Sequence, residues 1–404
     1  MHILFSHQNF PGQFGGLGKY LAENGWSVTF VTAKDPLPHT SWCRLIQMKP
    51  HRGATERVHR FALNFEKAMI NGQAFANACI KARAQGLNPD IVVAHSGWGS
   101  GTFAKSVWPE CKFAAYVEWY YNWPPVDSTG LDDAKNLEDG RARALARNAP
   151  VLVDMSEADL IFCPSLFQTA QFPENLRRDI VTLPDGVDCT VNVPQAGMRP
   201  PLPEGRSIPE GSEIVTYATR GMEPHRGFPE FMRAIAELQR SRPNLHVVIG
   251  GENRVAYGPK LPKGESWKKR MLDELDLDLE RIHFTGLLPR PEYLRLLQSS
   301  DLHVYLTVPF VLSWSLIEAM SVGCALLASD TAPVREALRH GDTAELVDHT
   351  DPGALARALE RLLNDPAKRD TYGQRARQAA IRRFDSNWIY PARAQILESK
   401  IREG

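Results

Sequence analysis

The segment Val308-Pro-Phe-Val-Leu-Ser-Trp-Ser-Leu-Ile-Glu-Ala-Met-Ser-Val-Gly-Cys-Ala-Leu-Leu-Ala328 reads as a loop, a short helix and a buried strand. Ser313 and Ser315 stand just before the apolar run Leu316, Ile317, Ala319 and Met320. A hydroxyl there can accept the first free backbone N–H groups of a helix. Gly323 is the expected stop, and Cys324 to Ala328 is apolar enough for a strand covered on both faces. A helix that starts at a strand edge presents several N–H donors and its positive dipole end, which favours an anion. Glu318, one turn in, repels phosphate and suits hydrogen bonds from sugar hydroxyls. The same residues also fit a plain capping box, Ser315-x-x-Glu318, in which the glutamate only closes the helix end.

Immediately around this segment the chain alternates strands and helices. Strands are expected at Ile214 to Ala218, Leu245 to Ile249, Arg281 to Thr285, Leu302 to Leu306 and Ala344 to Val347. Helices are expected at Phe228 to Leu238, Arg290 to Gln298, Pro352 to Leu363, Ala367 to Phe384 and Asn387 to Ile401. The polar stretch Arg254 to Lys268 reads as loop. Between the first of these strands and its helix lies Thr219-Arg-Gly-Met-Glu-Pro-His-Arg-Gly227. Arg220 and Arg226 are two guanidiniums in a loop at a strand's carboxyl end, able to clamp a diphosphate with charge-assisted bonds. Two solvated loop arginines are the plainer alternative. One anion shared with the helix start at Ser315 accounts for both features at once.

The amino-terminal half repeats the alternation. Strands are expected at His2 to Ser6, Val28 to Val31, Leu45 to Met48, Asp90 to Ala94, Phe113 to Val117, Leu160 to Cys163 and from Ile180. A long helical stretch spans Glu56 to Ala84, and two helical segments lie within Asp133 to Ala158. The glycine-bearing loop after the first strand lacks GxGxxG, so a nicotinamide or flavin fingerprint is missing. Gly15 and Gly16 either admit a ligand to the backbone or only shape a turn. His95-Ser-Gly-Trp98 follows a buried strand at its carboxyl end, where open α/β sheets bind ligands. Glu118-Trp-Tyr-Tyr-Asn-Trp123 sets several rings in a row. Some of these are expected to line a cleft and pack on sugar C–H faces or a membrane interface; core packing is the alternative.

Residues 193–213, rich in proline and glycine, read as a linker. The expected division is residues 1–192, the linker, residues 214–384, and a last helix over 385–404 that could return to the first domain. The fold class is thus α/β, with two Rossmann-like domains facing a cleft. At 404 residues two domains are the default. Lys plus Arg equals Asp plus Glu at 47 each, so no global field recruits nucleic acid. Six cysteines without a CxxC pair argue against a zinc site or disulfide scaffold and fit a reducing, cytoplasmic compartment. Met1-His-Ile-Leu-Phe-Ser6 opens directly as a strand, so neither a signal peptide nor a membrane span is expected, while peripheral contact with the inner membrane face stays open. No DxD pair lies in a plausible metal loop, and Asp132-Asp133 reads as a helix cap. No metal and no cofactor are expected.

The motifs taken together resemble the family 4 glycosyltransferases of the GT-B fold over nearly the whole chain. The carriers are His7-Gln-Asn-Phe-Pro-Gly-Gln-Phe14, Ala94-His-Ser-Gly-Trp98, Pro184-Asp-Gly-Val-Asp188, Arg220-x5-Arg226-Gly, Phe284-Thr-Gly286 and Ser315-Leu-Ile-Glu-Ala-Met320. The resemblance implies retaining transfer from a nucleotide-diphosphate sugar, UDP-linked at the family level, to a sugar or lipid-linked acceptor. It assigns the diphosphate to Arg220 and Arg226, the ribose to Glu318, phosphate to the backbone of Ser315, Leu316 and Ile317, and the transferred sugar to His95. Gly15, Gly16, Leu287 and Ser313 join the donor side, and Trp98, Glu118, Trp119 and Tyr120 the acceptor side. One departure stands out: the family's E-x7-E has Phe310 in place of its first glutamate, with the main chain of Val311 to Ser313 expected to make some of its contacts. Two other functions share these features, a catalytically silent binding subunit and a sugar-nucleotide epimerase using Glu118.

Overall fold

A computed structural model describes residues 1–128 and 137–403 of the chain. By its internal contacts the chain falls into two compact units. The first comprises 1–125, 134–186 and 386–404, and the second 126–133 and 187–385. The change of unit therefore lies between Gly186 and Val187, and the 193–213 stretch read as a linker groups with the second unit.

Among the described residues the first unit holds one seven-stranded parallel sheet. Its strands are β1 (His2–His7), β2 (Ser27–Thr32), β3 (Arg44–Gln47), β4 (Ile91–His95), β5 (Lys112–Tyr116), β6 (Leu160–Cys163) and β7 (Ile180–Thr182), in spatial order β3-β2-β1-β4-β5-β6-β7. Alternate residues of each strand feed opposite layers, as the two-residue period requires. Ile3, Phe5, Val28, Phe30, Ile91 and Val93 pack on one side, and Leu4, Val31, Val92 and Ala94 on the other. The chain's last helix, Ser386–Arg402, contributes Ala394 and Leu397 to the first of these layers.

The second unit carries a six-stranded parallel sheet. Its strands are β8 (Glu213–Gly221), β9 (Leu245–Glu252), β10 (Ile282–Gly286), β11 (Leu302–Tyr305), β12 (Leu326–Ser329) and β13 (Glu345–Val347), ordered β10-β9-β8-β11-β12-β13. The order reverses between β8 and β11, the kind of switch point at whose carboxyl ends open sheets bind ligands. Both segments singled out in the sequence leave these two adjacent strands. Gly227 ends the β8 loop with φ +62°, and a Cβ there would lie 2.8 Å from Leu306 Cβ, so only glycine fits.

Several local expectations change. Residues Leu137–Glu157 form one helix with Pro150 inside it, rather than two segments. The Asp132-Asp133 cap lies outside the described residues. The supposed loop Arg254 to Lys268 runs into a helix, Trp267–Glu274, capped by the Ser266 hydroxyl accepting from Lys269 N. The helix of the opening segment, Trp314–Val322, is capped by Ser313, whose Oγ accepts from Ser315 N; Ser315 is already inside it, so the Ser315-x-x-Glu318 box does not form. A further short helix, Ala332–Ala337, follows β12.

Candidate functional site

Each unit gathers polar groups at the carboxyl edge of its own sheet. In the second unit, β8 delivers Arg220 to the surface, where it is exposed and has no hydrogen-bond or ion-pair partner among the described residues. Six residues on, Arg226 is 8% exposed. Its Nη1 donates to Thr307 Oγ1 at 2.8 Å, and its guanidinium lies 5.3 Å from the Tyr257 ring centroid. Thr307 follows β11, and Val308 N donates to His225 O at 3.0 Å, so the two loops are stitched together. A buried guanidinium with one such bond keeps further N–H donors for an anion.

Glu223, fully buried, lies between the arginines in sequence. Its Oε2 accepts from the backbone N–H groups of Ala256 and Tyr257, and burial pushes its carboxyl upward against those bonds. It thereby fixes the loop that carries Tyr257. Phe310, in place of the family's glutamate, stands edge-on to His225 at 6.2 Å and to Tyr257 at 5.2 Å between ring centroids. An aromatic wall therefore adjoins Arg226 where a carboxylate would otherwise stand.

Next to these loops begins the helix Trp314–Val322, its first N–H groups at the carboxyl edge of the sheet. Leu316 and Ile317 are buried core residues, which leaves only their backbone to face a ligand. Glu318 is shielded, its side chain 14% exposed, and its Oε1 accepts from Arg290 Nη1 at 2.5 Å. Leu287, beyond β10, is 69% exposed.

In the first unit, β1, β4 and β5 bring His7, His95 and Glu118 together. The His7 and His95 rings meet edge-on at 5.1 Å. His95 Nε2 lies 3.4 Å from Glu118 Oε2, and Gln13 Nε2 donates to Glu118 Oε1 at 3.3 Å. Burial raises the Glu118 carboxyl, but the His95 contact and the Gln13 bond outweigh it and hold the value below the ordinary carboxylate range. His7 is held down to about 4, first by burial and then by the proximity of His95, so it stays neutral at physiological pH. The loop after His95 is tied down by Asp154, which accepts from Ser96 Oγ at 2.8 Å, Gly97 N at 3.0 Å and Thr102 Oγ1 at 2.6 Å. Trp98, on that loop, is 56% exposed.

Three sequence expectations need correction. Trp119 and Tyr120 are buried, and Tyr120 belongs to the core, so neither offers an open ring face to a sugar. Gly15 opens a helix at ordinary helical φ, and a Cβ on it would meet the Pro11 ring at 2.7 Å. Gly16 accommodates the Tyr390 hydroxyl, which would lie 2.0 Å from an added Cβ. Both glycines are explained by packing. Conversely, Thr307, Tyr257, Glu223, Arg290 and Asp154 carry no local sequence pattern that marks them. Their roles arise from contacts across loops.

No group of three or more His, Cys, Asp or Glu side chains among the described residues is arranged to hold a metal ion. No helix among them is long and apolar enough to cross a membrane.

Comparisons with known proteins bear on both units. A model of the glycosyl transferase family 4 group matches residues 24–191, and one of glycosyl transferases group 1 matches residues 199–379. The chain is 24% identical over 420 residues to the glycogen synthase of Mycobacterium tuberculosis, covering 98% of this chain and 93% of that one. It is 27% identical over 216 residues to the phosphatidyl-myo-inositol mannosyltransferase of Mycobacterium leprae, covering 52% and 51%. Among solved structures it resembles sucrose-phosphate synthase from Thermosynechococcus elongatus, with TM-score 0.74 and 20% identity over 100% and 99% of the chains. It also resembles Anabaena HepE in complex with UDP-glucose, with TM-score 0.67 and 16% identity over 99% and 100%.

Proposed function

The chain belongs to the family 4 glycosyltransferases, and from that premise we propose that it is a retaining, metal-independent enzyme. It moves a sugar from a nucleotide-diphosphate sugar, UDP-linked, to a sugar or lipid-linked acceptor. The second unit binds the donor, and the first supplies His95 to the transferred sugar and Glu118 to the acceptor side. The observation that carries this reading is the pairing of Arg226 with Arg220 at the sheet's switch point. One is buried with spare donors and the other is exposed and unpartnered, beside a helix whose first N–H groups share the same edge.

In the reaction the bond between the sugar's anomeric carbon and the diphosphate oxygen breaks, and the oxygen keeps the electron pair. Negative charge therefore grows on the phosphate. Two guanidiniums and the helix N–H groups at the one sheet edge meet that charge with little reorganisation. This role is one that a divalent ion fills in other transferases. Glu318 accepts hydrogen bonds from the ribose. The acceptor hydroxyl attacks the anomeric carbon and passes its proton to the departing phosphate oxygen, and the new bond forms on the face the phosphate leaves. The acceptor class follows from relatives whose names denote glycogen synthesis and transfer to phosphatidyl-myo-inositol. The described cysteines are all free, which supports a reducing compartment and hence the cytoplasm.

The test begins with a thermal-shift screen of the purified chain against UDP-, GDP- and ADP-sugars. A donor that stabilises the protein is then assayed for hydrolysis and for transfer to sugar acceptors, with and without EDTA. Stabilisation by one nucleotide sugar, turnover unaffected by chelation and an axial-to-axial product by NMR are expected from an α-linked donor. A chain that binds none of these donors, or needs the metal, would refute the corresponding part.

A further inference from the structure

Arg290 is the first residue of the helix Arg290–Gln298, where a cation opposes the helix dipole. The position is unfavourable for a merely solvated arginine. Its guanidinium is nevertheless fixed at three points. Nη1 donates to Glu318 Oε1 at 2.5 Å, Nη2 donates to Asn192 Oδ1 at 2.6 Å, and the group sits 5.5 Å from the Tyr293 ring centroid. Asn192 is itself immobilised: it is 2% exposed, its Nδ2 donates to Asp188 O at 2.7 Å and its carbonyl accepts from Ser321 Oγ at 2.8 Å. The fork of Arg290 thus spans a rigid anchor on one side and the Glu318 carboxylate on the other.

Arg290 engages one of the two Glu318 oxygens, on a side chain that is largely shielded yet not closed off. A carboxylate pinned through one oxygen has its second oxygen aimed in a set direction, with less rotamer freedom to lose when a ligand arrives. The paired cation also offsets the carboxylate's repulsion of a nearby phosphate.

We propose that Arg290 is a positioning residue for donor recognition, acting through Glu318. It holds the carboxylate so that Oε2 accepts from a ribose hydroxyl, and so makes the site select ribonucleotides over 2′-deoxyribonucleotides. The proposal rests on the reading of Glu318 as the ribose acceptor.

The experiment measures binding of UDP, GDP and ADP and their 2′-deoxy counterparts by titration calorimetry, for the full chain and for the Glu318→Gln, Arg290→Gln and Arg290→Lys variants. Melting temperatures without ligand are recorded alongside. The wild type is expected to favour the ribo form of its preferred nucleotide by about tenfold, the worth of one hydrogen bond to a charged acceptor. Arg290→Gln should shrink that ratio to about threefold or less, whatever happens to overall affinity. Arg290→Lys keeps the charge but not the two-pronged grip, and should shrink it too. It also serves if the glutamine variant fails to fold. A ratio that stays at the wild-type value, or rises because the carboxylate is freed, overturns the proposal. A wild type with no ribo preference, or a ratio unmoved by Glu318→Gln, instead removes the reading of Glu318 on which it rests. That failure appears in different arms.

Discussion

Arg220 and Arg226 carry the same charge six positions apart, yet their surroundings ask different things of them. Arg220 stands exposed, without a partner among the described residues, so the fold does not depend on it. Arg226 is buried beside Thr307 and Tyr257 and helps to offset the buried Glu223 carboxylate. Replacing Arg220 by alanine should leave the melting temperature within a degree or so and reduce kcat by about 10²–10³, the usual loss when one charge-stabilising group is removed. Arg226→Ala should reduce turnover as much and also destabilise the second unit, because Glu223 loses its counter-charge. Steady-state kinetics and thermal melts on the two variants check this. Near-normal turnover in Arg220→Ala would remove the diphosphate clamp. A second residue-scale prediction concerns Gly16. Alanine there should cost about 1–3 kcal/mol through overpacking against Tyr390, and Gly16→Ala combined with Tyr390→Leu should recover part of the loss in urea unfolding. Absence of that coupling would point back to a ligand at Gly16.

Elements differ in how they are held. The helix Trp314–Val322 owes its start to Ser313, which accepts from Ser315 N, while Ser315 sits within the first turn. Ser313→Ala should therefore cost about 0.5–2 kcal/mol in urea unfolding, and Ser315→Ala clearly less. Equal losses would mean that the cap is shared. The last helix is anchored more deeply. Arg393, 3% exposed, donates through Nη2 to the carbonyls of Leu183 and Pro184 at 2.7 and 2.9 Å and pairs with Asp185 at 3.6 Å. Asp185 in turn accepts from the Tyr116 hydroxyl at 2.9 Å. Replacing Arg393 by methionine strands a buried carboxylate, a change worth about 3–5 kcal/mol. Hydrogen exchange should show β1 to β7 losing protection while β8 to β13 keep theirs. Uniform loss across both sheets would contradict the assignment of this helix to the first unit.

At the scale of the whole molecule, what could be read from the sequence is what local pattern encodes. The helix Pro352–Leu363 was legible from Pro352 at its start and from Leu355, Leu359 and Leu362 on one face, and it forms over that range. The arginine loop and the helix start were legible because glycines and hydroxyls mark turns and caps. Contacts made across loops were not. Arg290 and Glu318 are far apart in sequence, and nothing local links them. The rings of Trp119 and Tyr120 looked too many for one core, yet Tyr120 joins a sheet layer and Trp119 is buried against Phe167, 6.1 Å between ring centroids. The helix Trp267–Glu274 was hidden because its only fully buried side chain is Met271. The same two-sided burial also sets how the molecule responds to acid. His303, on β11, has no exposure, and its Nδ1 is 2.8 Å from Thr216 Oγ1; burial holds it down to about 4. His7, in the other unit, is likewise held to about 4. In the unfolded chain each titrates near 6.5. Between those values the unfolded state binds more protons, so stability rises with pH there and falls as pH drops from about 6.5 toward 4. At pH 5 each buried histidine should cost about 2 kcal/mol relative to pH 8, by the linkage of one pH unit to about 1.4 kcal/mol. Urea midpoints at pH 5 and pH 8 measure this. The His303→Gln variant, neutral at both pH values, should show a smaller drop, the remainder coming from His7 and from His283 of the second unit, which burial likewise holds to about 4. A wild-type midpoint that does not move between the two would mean that these rings are protonated, and so solvated, in the folded chain.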